Sequence, residues 1–283
     1  MGVILAAAVL LAQIWGGPSE YRVQPGDSLA SIGARLGVDV KVLAELNDLK
    51  ASQRLVPGSA LKIENTHIIS SSPDADILIN VPQRMLFFFK AGQFSRAYPI
   101  TAGKASWRTP LGDFTTATME KNPTWDVPPS IQEEMRRAGK RVLTRVPPSP
   151  ENPLGKYWIG LSISGVGIHG TNSPSSIYRL GSHGCIRLHP DDIEDLFARV
   201  QTGVRGRIIY EPVLLTETDG EVLLEVHPDG YKLVRDMLAR VEALAQARGL
   251  ADTIDWSLVK EVIRKRDGIA HNVARYQIHS GRN

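Results

Sequence analysis

The chain has a single cysteine, Cys185, among its 283 residues. An internal disulfide is therefore excluded, and so is any zinc site built on paired thiolates. Aromatic residues make up only 6%, and no basic run is interleaved with them. The stacking platforms of nucleic-acid binders are thus missing, and nucleic acid is not expected as a partner. No apolar run reaches the roughly 20 residues that span a bilayer. The one candidate, from Val3 to Ile14, ends at Trp15-Gly16-Gly17-Pro18, where a helix would break. Charge of neither sign dominates: 33 Lys and Arg face 30 Asp and Glu, a net +3 spread along the chain. What remains is an ordinary globular composition, 42% hydrophobic and 22% charged, long enough for one large domain or two unequal ones.

The run from Val3 to Ile14 has the length of a signal peptide, so residues 1–17 are expected to be an export signal or anchor. No Lys or Arg precedes it and no small-x-small site follows it. From Glu20 to Glu64 the pattern is strand, helix, helix, strand. Tyr21-Arg22-Val23 leads to a turn at Pro25-Gly26-Asp27. Ser28 and Asp39 can each cap a helix, Gly37 can close the first, and Leu61-Lys62-Ile63 forms the last strand. The run Tyr21-Arg22-Val23-Gln24-Pro25-Gly26-Asp27-Ser28-Leu29-Ala30-Ser31-Ile32, with Asn47 and Val56-Pro57-Gly58, resembles the LysM module. That resemblance implies binding to glycans containing N-acetylglucosamine, peptidoglycan among them.

Residues 70–75 are polar and read as a linker. Beyond them short β-type runs recur: Ile77 to Val81, Leu86 to Phe89, Ala97 to Ile100, Phe114 to Ala117, Tyr157 to Leu161, Val166 to His169 and Arg207 to Tyr210. So many short strands predict a mainly β domain over 76–212, a sandwich or barrel with few helices, rather than a doubly wound fold. One helix should start at Pro190, with Ile193, Leu196, Phe197 and Val200 as its inward stripe. Residues 213–283 are expected to add a strand pair, Val213 to Thr216 and Val222 to Val226, and two helices, Tyr231 to Arg248 and Ile254 to Arg264.

The chemistry concentrates in His169-Gly170-Thr171 and in Gly181-Ser182-His183-Gly184-Cys185-Ile186-Arg187. A nucleophilic thiol needs a base, a group that orients the base, and backbone donors for the oxyanion. Gly184 lets the chain bend closely around a substrate carbonyl, and the amides around Cys185 are candidate donors. His169 and His183 are both candidate bases, and residue physics alone does not choose between them. Two histidines and a cysteine could also bind zinc, although no second Cys pair and no HExxH helix accompany them.

The spacing from His169 to Ser182-His183-Gly184-Cys185 resembles the active-site signature of the L,D-transpeptidase (YkuD) family. Thr109-Pro110-Leu111-Gly112-Asp113-Phe114, Lys121-Asn122-Pro123-Thr124-Trp125 and Cys185-Ile186-Arg187-Leu188 are similar to further family segments, and the block from Asn122 to Gly155, with the Glu221 to His227 strand, looks most like the Gram-negative periplasmic branch. The resemblance implies Cys185 as nucleophile, His169 as general base and the Gly170 carbonyl as orienter. It leaves Ser182 and His183 to shape the Cys185 loop. It implies no metal or organic cofactor and a cysteine that carbapenems acylate. Arg187 is a candidate holder of a substrate carboxylate, with Trp125, Tyr157 (or Trp158) and Thr171 as candidate cleft residues. The expected partners are peptidoglycan, its glycan on the LysM module and its peptide stem in the catalytic domain, and an outer-membrane lipoprotein as one acceptor. The expected state is a monomer in the periplasm. A cysteine endopeptidase, an L,D-carboxypeptidase and a non-catalytic wall-binding protein are the competing readings.

Overall fold

Residues 13–70 and 74–275 are described by a computed structural model. Most of the expected export signal, residues 1–12, lies outside the described residues, as do residues 71–73 of the expected linker. Gln13–Trp15 forms a strand, β1, paired antiparallel with β4 (His67–Ile69). Residues 13–15 are thus integral to the folded part of the chain.

The βααβ unit is β2 (Ser19–Arg22), α1 (Leu29–Leu36), α2 (Val40–Leu46) and β3 (Ala60–Ile63), with β2 and β3 antiparallel. Its helices begin where the capping residues dictate. Ser28 and Ser31 form a reciprocal capping box, Gly37 closes α1 in the left-handed region (φ 67°), and Asp39 accepts from the Lys41 amide. Leu29, Ile32, Leu43, Leu61 and Ile63 form a small core of its own.

The mainly β domain comprises β5 (Ile77–Asn80), β6 (Met85–Lys90), β7 (Gln93–Gly103), β8 (Gly112–Lys121), β9 (Trp125–Asp126), β10 (Arg145–Val146), β11 (Tyr157–Leu161), β12 (Gly167–His169), β13 (Leu180–Ser182), β14 (Ile186–Leu188) and β15 (Arg205–Ile209). Its helices are α3 (Pro129–Arg137), between β9 and β10, and α4 (Pro190–Arg199). The strand order β13-β7-β14-β12-β11-β8-β15-β5-β6, with β6 also paired to β7, closes a barrel. The long strand β7 makes closure possible. Its first half pairs with β6 and its second half with β14 and β13. Alternation along the strands sends Ile77, Ile79, Leu86, Phe88, Ile100, Ile159, Ile168 and Ile186 inward, where Ile193 and Leu196 of α4 pack on them. Pro190 opens α4 as expected, and Asp191 and Asp192 occupy its first turn.

A third unit holds the antiparallel sheet β16 (Val213–Thr218), β17 (Glu221–Val226) and β18 (Ala270–Asn272) under α5 (Met237–Ala247) and α6 (Trp256–Lys265). The helix expected from Tyr231 starts six residues later. The Asp229 carboxylate captures the amides of Leu233 and Val234 in a turn, and Asp236 becomes the true N-cap through the Ala239 amide. Leu233 is exposed, and Tyr231 is buried among the barrel's core residues.

All three units meet at one carboxylate. Glu225 of β17 is fully buried. Its Oε1 accepts from His67 Nδ1 (2.7 Å), His227 Nε2 (2.7 Å) and Gln83 Nε2 (3.0 Å), and its Oε2 from the Ile68 amide (2.6 Å). His67 Nε2 faces the Gly37 carbonyl of the α1 cap at 3.0 Å. Both ring nitrogens of His67 therefore lie against oxygen atoms, Glu225 Oε1 on one side and the Gly37 carbonyl on the other.

Candidate active site

β12 and β14 run parallel and adjacent, in register Ile168↔Ile186 and His169↔Arg187. Continued by one residue, that register sets Cys185 beside Gly167, so Cys185 and His169, 16 apart in sequence, share one face of the sheet. Buried His169 points its Nδ1–H at its neighbour's carbonyl, Gly170 O, at 2.7 Å. This bond fixes the tautomer and leaves Nε2 with a lone pair. Burial pushes His169 down to about 3, and the nearby Arg187 guanidinium acts in the same direction. The ring is thus neutral at physiological pH.

Half-buried Cys185 directs its thiol at the Gly165 carbonyl, 3.7 Å away. Burial pushes the thiol up, while the Gly167 amide and Arg187 partly oppose it. The resting pair is accordingly thiol and neutral imidazole rather than thiolate and imidazolium. Arg187 adds a positive charge to the cleft, and its Nε is buried without a partner. Such an atom is poised to receive an anionic oxygen.

The Cys185 loop is built by its neighbours. Ser182 Oγ donates to the Cys185 carbonyl (2.5 Å) and accepts from the Gly184 amide (3.1 Å), closing a tight turn. Gly184 has φ 109°, which only glycine adopts readily. His183 turns away from the thiol. Its Nε2 bonds Glu134 of α3 at 2.6 Å, and its ring meets Trp107 edge-on. Of the two histidines, His169 lies on the thiol's face of the sheet, and His183 ties α3 to the loop.

The expected cleft residues divide. Trp125 is half-buried in β9, on the segment that carries α3, and Thr171 is buried, its hydroxyl accepting from the Ser173 amide. Tyr157 lies on the α4 side of its strand. Its hydroxyl bonds Glu194 of α4 at 2.8 Å and its ring packs on Phe197, so it supports the helix. Strand alternation puts Trp158 on the opposite side, stacked on His169 with centroids 5.7 Å apart. Gly167 makes room for it: a Cβ there would lie 2.3 Å from the indole. Gly167→Ala is therefore expected to displace Trp158 and to cost about 1–3 kcal/mol of stability by urea unfolding.

Two features carried no sequence signal. Glu134 lies on α3, a helix with no buried residue and hence no apolar stripe to detect. The set of His67, Glu225 and His227 is the one group among the described residues with metal-like donor spacing, its three donor atoms lying within 4.8 Å of one another. Its 2.7 Å N···O contacts are hydrogen bonds, and the Gln83 and Ile68 N–H groups complete a shell suited to an anion. His169, His183 and Cys185 do not form such a group among the described residues.

A closed β-barrel presenting this loop defines the class of protein. The L,D-transpeptidase catalytic domain (YkuD) profile matches residues 74–213, and the LysM domain profile matches residues 21–64. The chain is 31% identical to the probable L,D-transpeptidase ErfK/SrfK of Salmonella typhimurium, over 87% of this chain and 82% of that one. It is 30% identical to the probable L,D-transpeptidase YcfS of Escherichia coli, over 93% of this chain and 86% of that one. The catalytic domain of the Enterococcus faecium L,D-transpeptidase aligns at 24% identity and a TM-score of 0.39, covering 50% of this chain and all of that domain. The chain belongs to the L,D-transpeptidase family and carries a LysM domain. Among the described residues, no helix is long and apolar enough to cross a membrane.

Proposed function

We propose that the protein exchanges the terminal D-alanine of peptidoglycan tetrapeptide stems for an amine, through a thioester on Cys185, in the periplasm. The observation that carries this reading is the parallel β12–β14 register, with His169 Nδ1 held by the Gly170 carbonyl and Nε2 left to accept a proton. In the acylation step Cys185 Sγ attacks the carbonyl of the stem's third residue while its proton passes to His169 Nε2. The C–N bond to D-alanine then breaks, and His169 returns the proton to the leaving amine. In the second step an acceptor amine attacks the thioester and gives its proton to His169, and the thiol is regenerated. Arg187 is assigned to the substrate carboxylate, on its unpartnered buried Nε. The LysM domain is assigned to the glycan strand. The acceptor is a second stem, giving a 3-3 crosslink; a lysine of an outer-membrane lipoprotein is the alternative, and water would make the enzyme an L,D-carboxypeptidase.

The test is incubation with disaccharide-tetrapeptide muropeptides followed by mass spectrometry, using protein that retains residues 13–17. Wild type should release D-alanine and form a crosslinked dimer, and Cys185→Ala should do neither. Release without a dimer would shift the reading to hydrolysis or a protein acceptor. A wild type that leaves the substrate untouched would overturn it.

A further inference from the structure

Tyr231 lies outside the catalytic-domain match, in the segment that leads to α5, yet it is 1% exposed and sits in the barrel's core cluster. Its hydroxyl makes two bonds to one loop, donating to the Gly103 carbonyl (2.8 Å) and accepting from the Thr109 amide (3.0 Å). The Thr109 hydroxyl in turn accepts from the Gly103 amide (2.9 Å) and donates to the Gly184 carbonyl (3.0 Å). Arg108 Nη2 donates to the Tyr231 carbonyl at 2.8 Å, and Tyr210 stacks on the ring at 5.0 Å between centroids. A short chain of buried hydrogen bonds thus runs from the C-terminal unit to the peptide that precedes the nucleophile.

The direction of that last bond matters. In a trans peptide the carbonyl and the following N–H lie in one plane and point in opposite directions. Drawing the Gly184 carbonyl toward Thr109 therefore aims the Cys185 N–H the other way. The Gly184 amide is already engaged by Ser182 Oγ, so the Cys185 amide is the donor of this turn left for a developing oxyanion. Gly184, at φ 109°, has no side chain to hold its own peptide plane, and the restraint has to come from outside the loop.

We propose that Tyr231 is a positioning residue for acyl transfer: acting through Thr109, it fixes the Gly184–Cys185 peptide so that the Cys185 amide meets the oxyanion. The inference rests on the transpeptidase reading above. It makes the C-terminal unit part of the catalytic apparatus.

The test is Tyr231→Phe in the full chain, which keeps the ring, its stack on Tyr210 and the packing but removes both hydroxyl bonds. Three quantities are read: kcat and KM on the disaccharide-tetrapeptide, and the rate of Cys185 alkylation by iodoacetamide, which needs the thiol and its base but no oxyanion donor. The expected result is a kcat lowered about 10- to 100-fold, less than the loss of a whole oxyanion donor. KM and alkylation should stay within about twofold of wild type. Thr109→Val, which removes the next link, should repeat the pattern and serves if the first variant does not fold. Unchanged kcat in either folded variant, or kcat and alkylation falling together, would overturn the inference while leaving the transpeptidase reading intact. An inactive wild type would overturn that reading and the inference with it.

Discussion

Replacing His169 with glutamine should lower kcat/KM on tetrapeptide stems by about 10²- to 10⁴-fold, the usual contribution of a positioned acid–base group. Glutamine can reproduce the bond to the Gly170 carbonyl, so the loss would report the proton relay rather than a disturbed strand. The same residue sets an unusual acid limb. A free imidazole would protonate near pH 6.5 and stop accepting the thiol proton below it. Burial and Arg187 hold His169 down to about 3, so it stays neutral throughout the mildly acidic range. The prediction is a kcat/KM that changes little between pH 7 and pH 5 in wild type. The measurement is a pH–rate profile with stem substrate, corrected for unfolding. A titration with a midpoint near 6.5 would show that the resting base is not the buried neutral ring described above.

Glu225→Ala should be the most destabilising single change in the chain outside the barrel core, by about 3–5 kcal/mol. Removing that carboxylate would leave the His67 ring, the His227 and Gln83 donors and the Ile68 amide buried together without their acceptor. Urea unfolding of wild type and variant at neutral pH measures the difference. A loss below about 1 kcal/mol would mean that water reaches the junction. The pH dependence follows from the same groups. Burial alone would raise the Glu225 carboxyl, but His67 and His227 hold it down at about 2. Its contribution is present above the ordinary carboxylate range and is lost as pH falls from there toward 2. His227 is lowered by burial, with Glu225 opposing, and stays neutral in the fold. The unfolded chain takes up that proton below about 6.5, which also favours unfolding in acid. Wild-type stability should therefore decline from about pH 6.5 downward, and the carboxylate portion of that decline should be missing in Glu225→Ala.

Much of this protein was legible in its sequence because local rules and tertiary structure agree. Ser28, Gly37 and Asp39 end helices where such residues must, and Pro190 followed by an apolar stripe at helical spacing marks α4. The strand runs of the barrel alternate or stay apolar for reasons visible in any short window. The turn that holds Cys185 drew attention too, since two glycines, a serine and a histidine around a lone cysteine have few bland explanations. The misses share a cause: each depends on partners far away in sequence. Tyr157 and Trp158 are adjacent aromatics whose opposite orientations follow from strand alternation, but which of them meets His169 depends on the β11–β12 pairing. Tyr231 looks like the first residue of a helix until the barrel claims its ring. His67 has no telling neighbour. Glu225 on β17 and His227 just past its end could have been paired on one face by their spacing of two, but nothing local says that the face is buried.

The junction at Glu225 has a consequence for how such an enzyme would work along a polymer. It fastens the α1 cap of the LysM unit, through Gly37 and His67, to the sheet of the C-terminal unit, and Gln83 ties both to the barrel. The LysM unit is therefore not free to swing on a tether relative to the barrel. With the glycan held as proposed, the distance from grip to thiol is a fixed gauge. Stems at one spacing from the held sugar are within reach and others are not, so crosslinks would fall at regular intervals along a strand. Loosening the junction while leaving Cys185 intact should blur that spacing before it slows the chemistry.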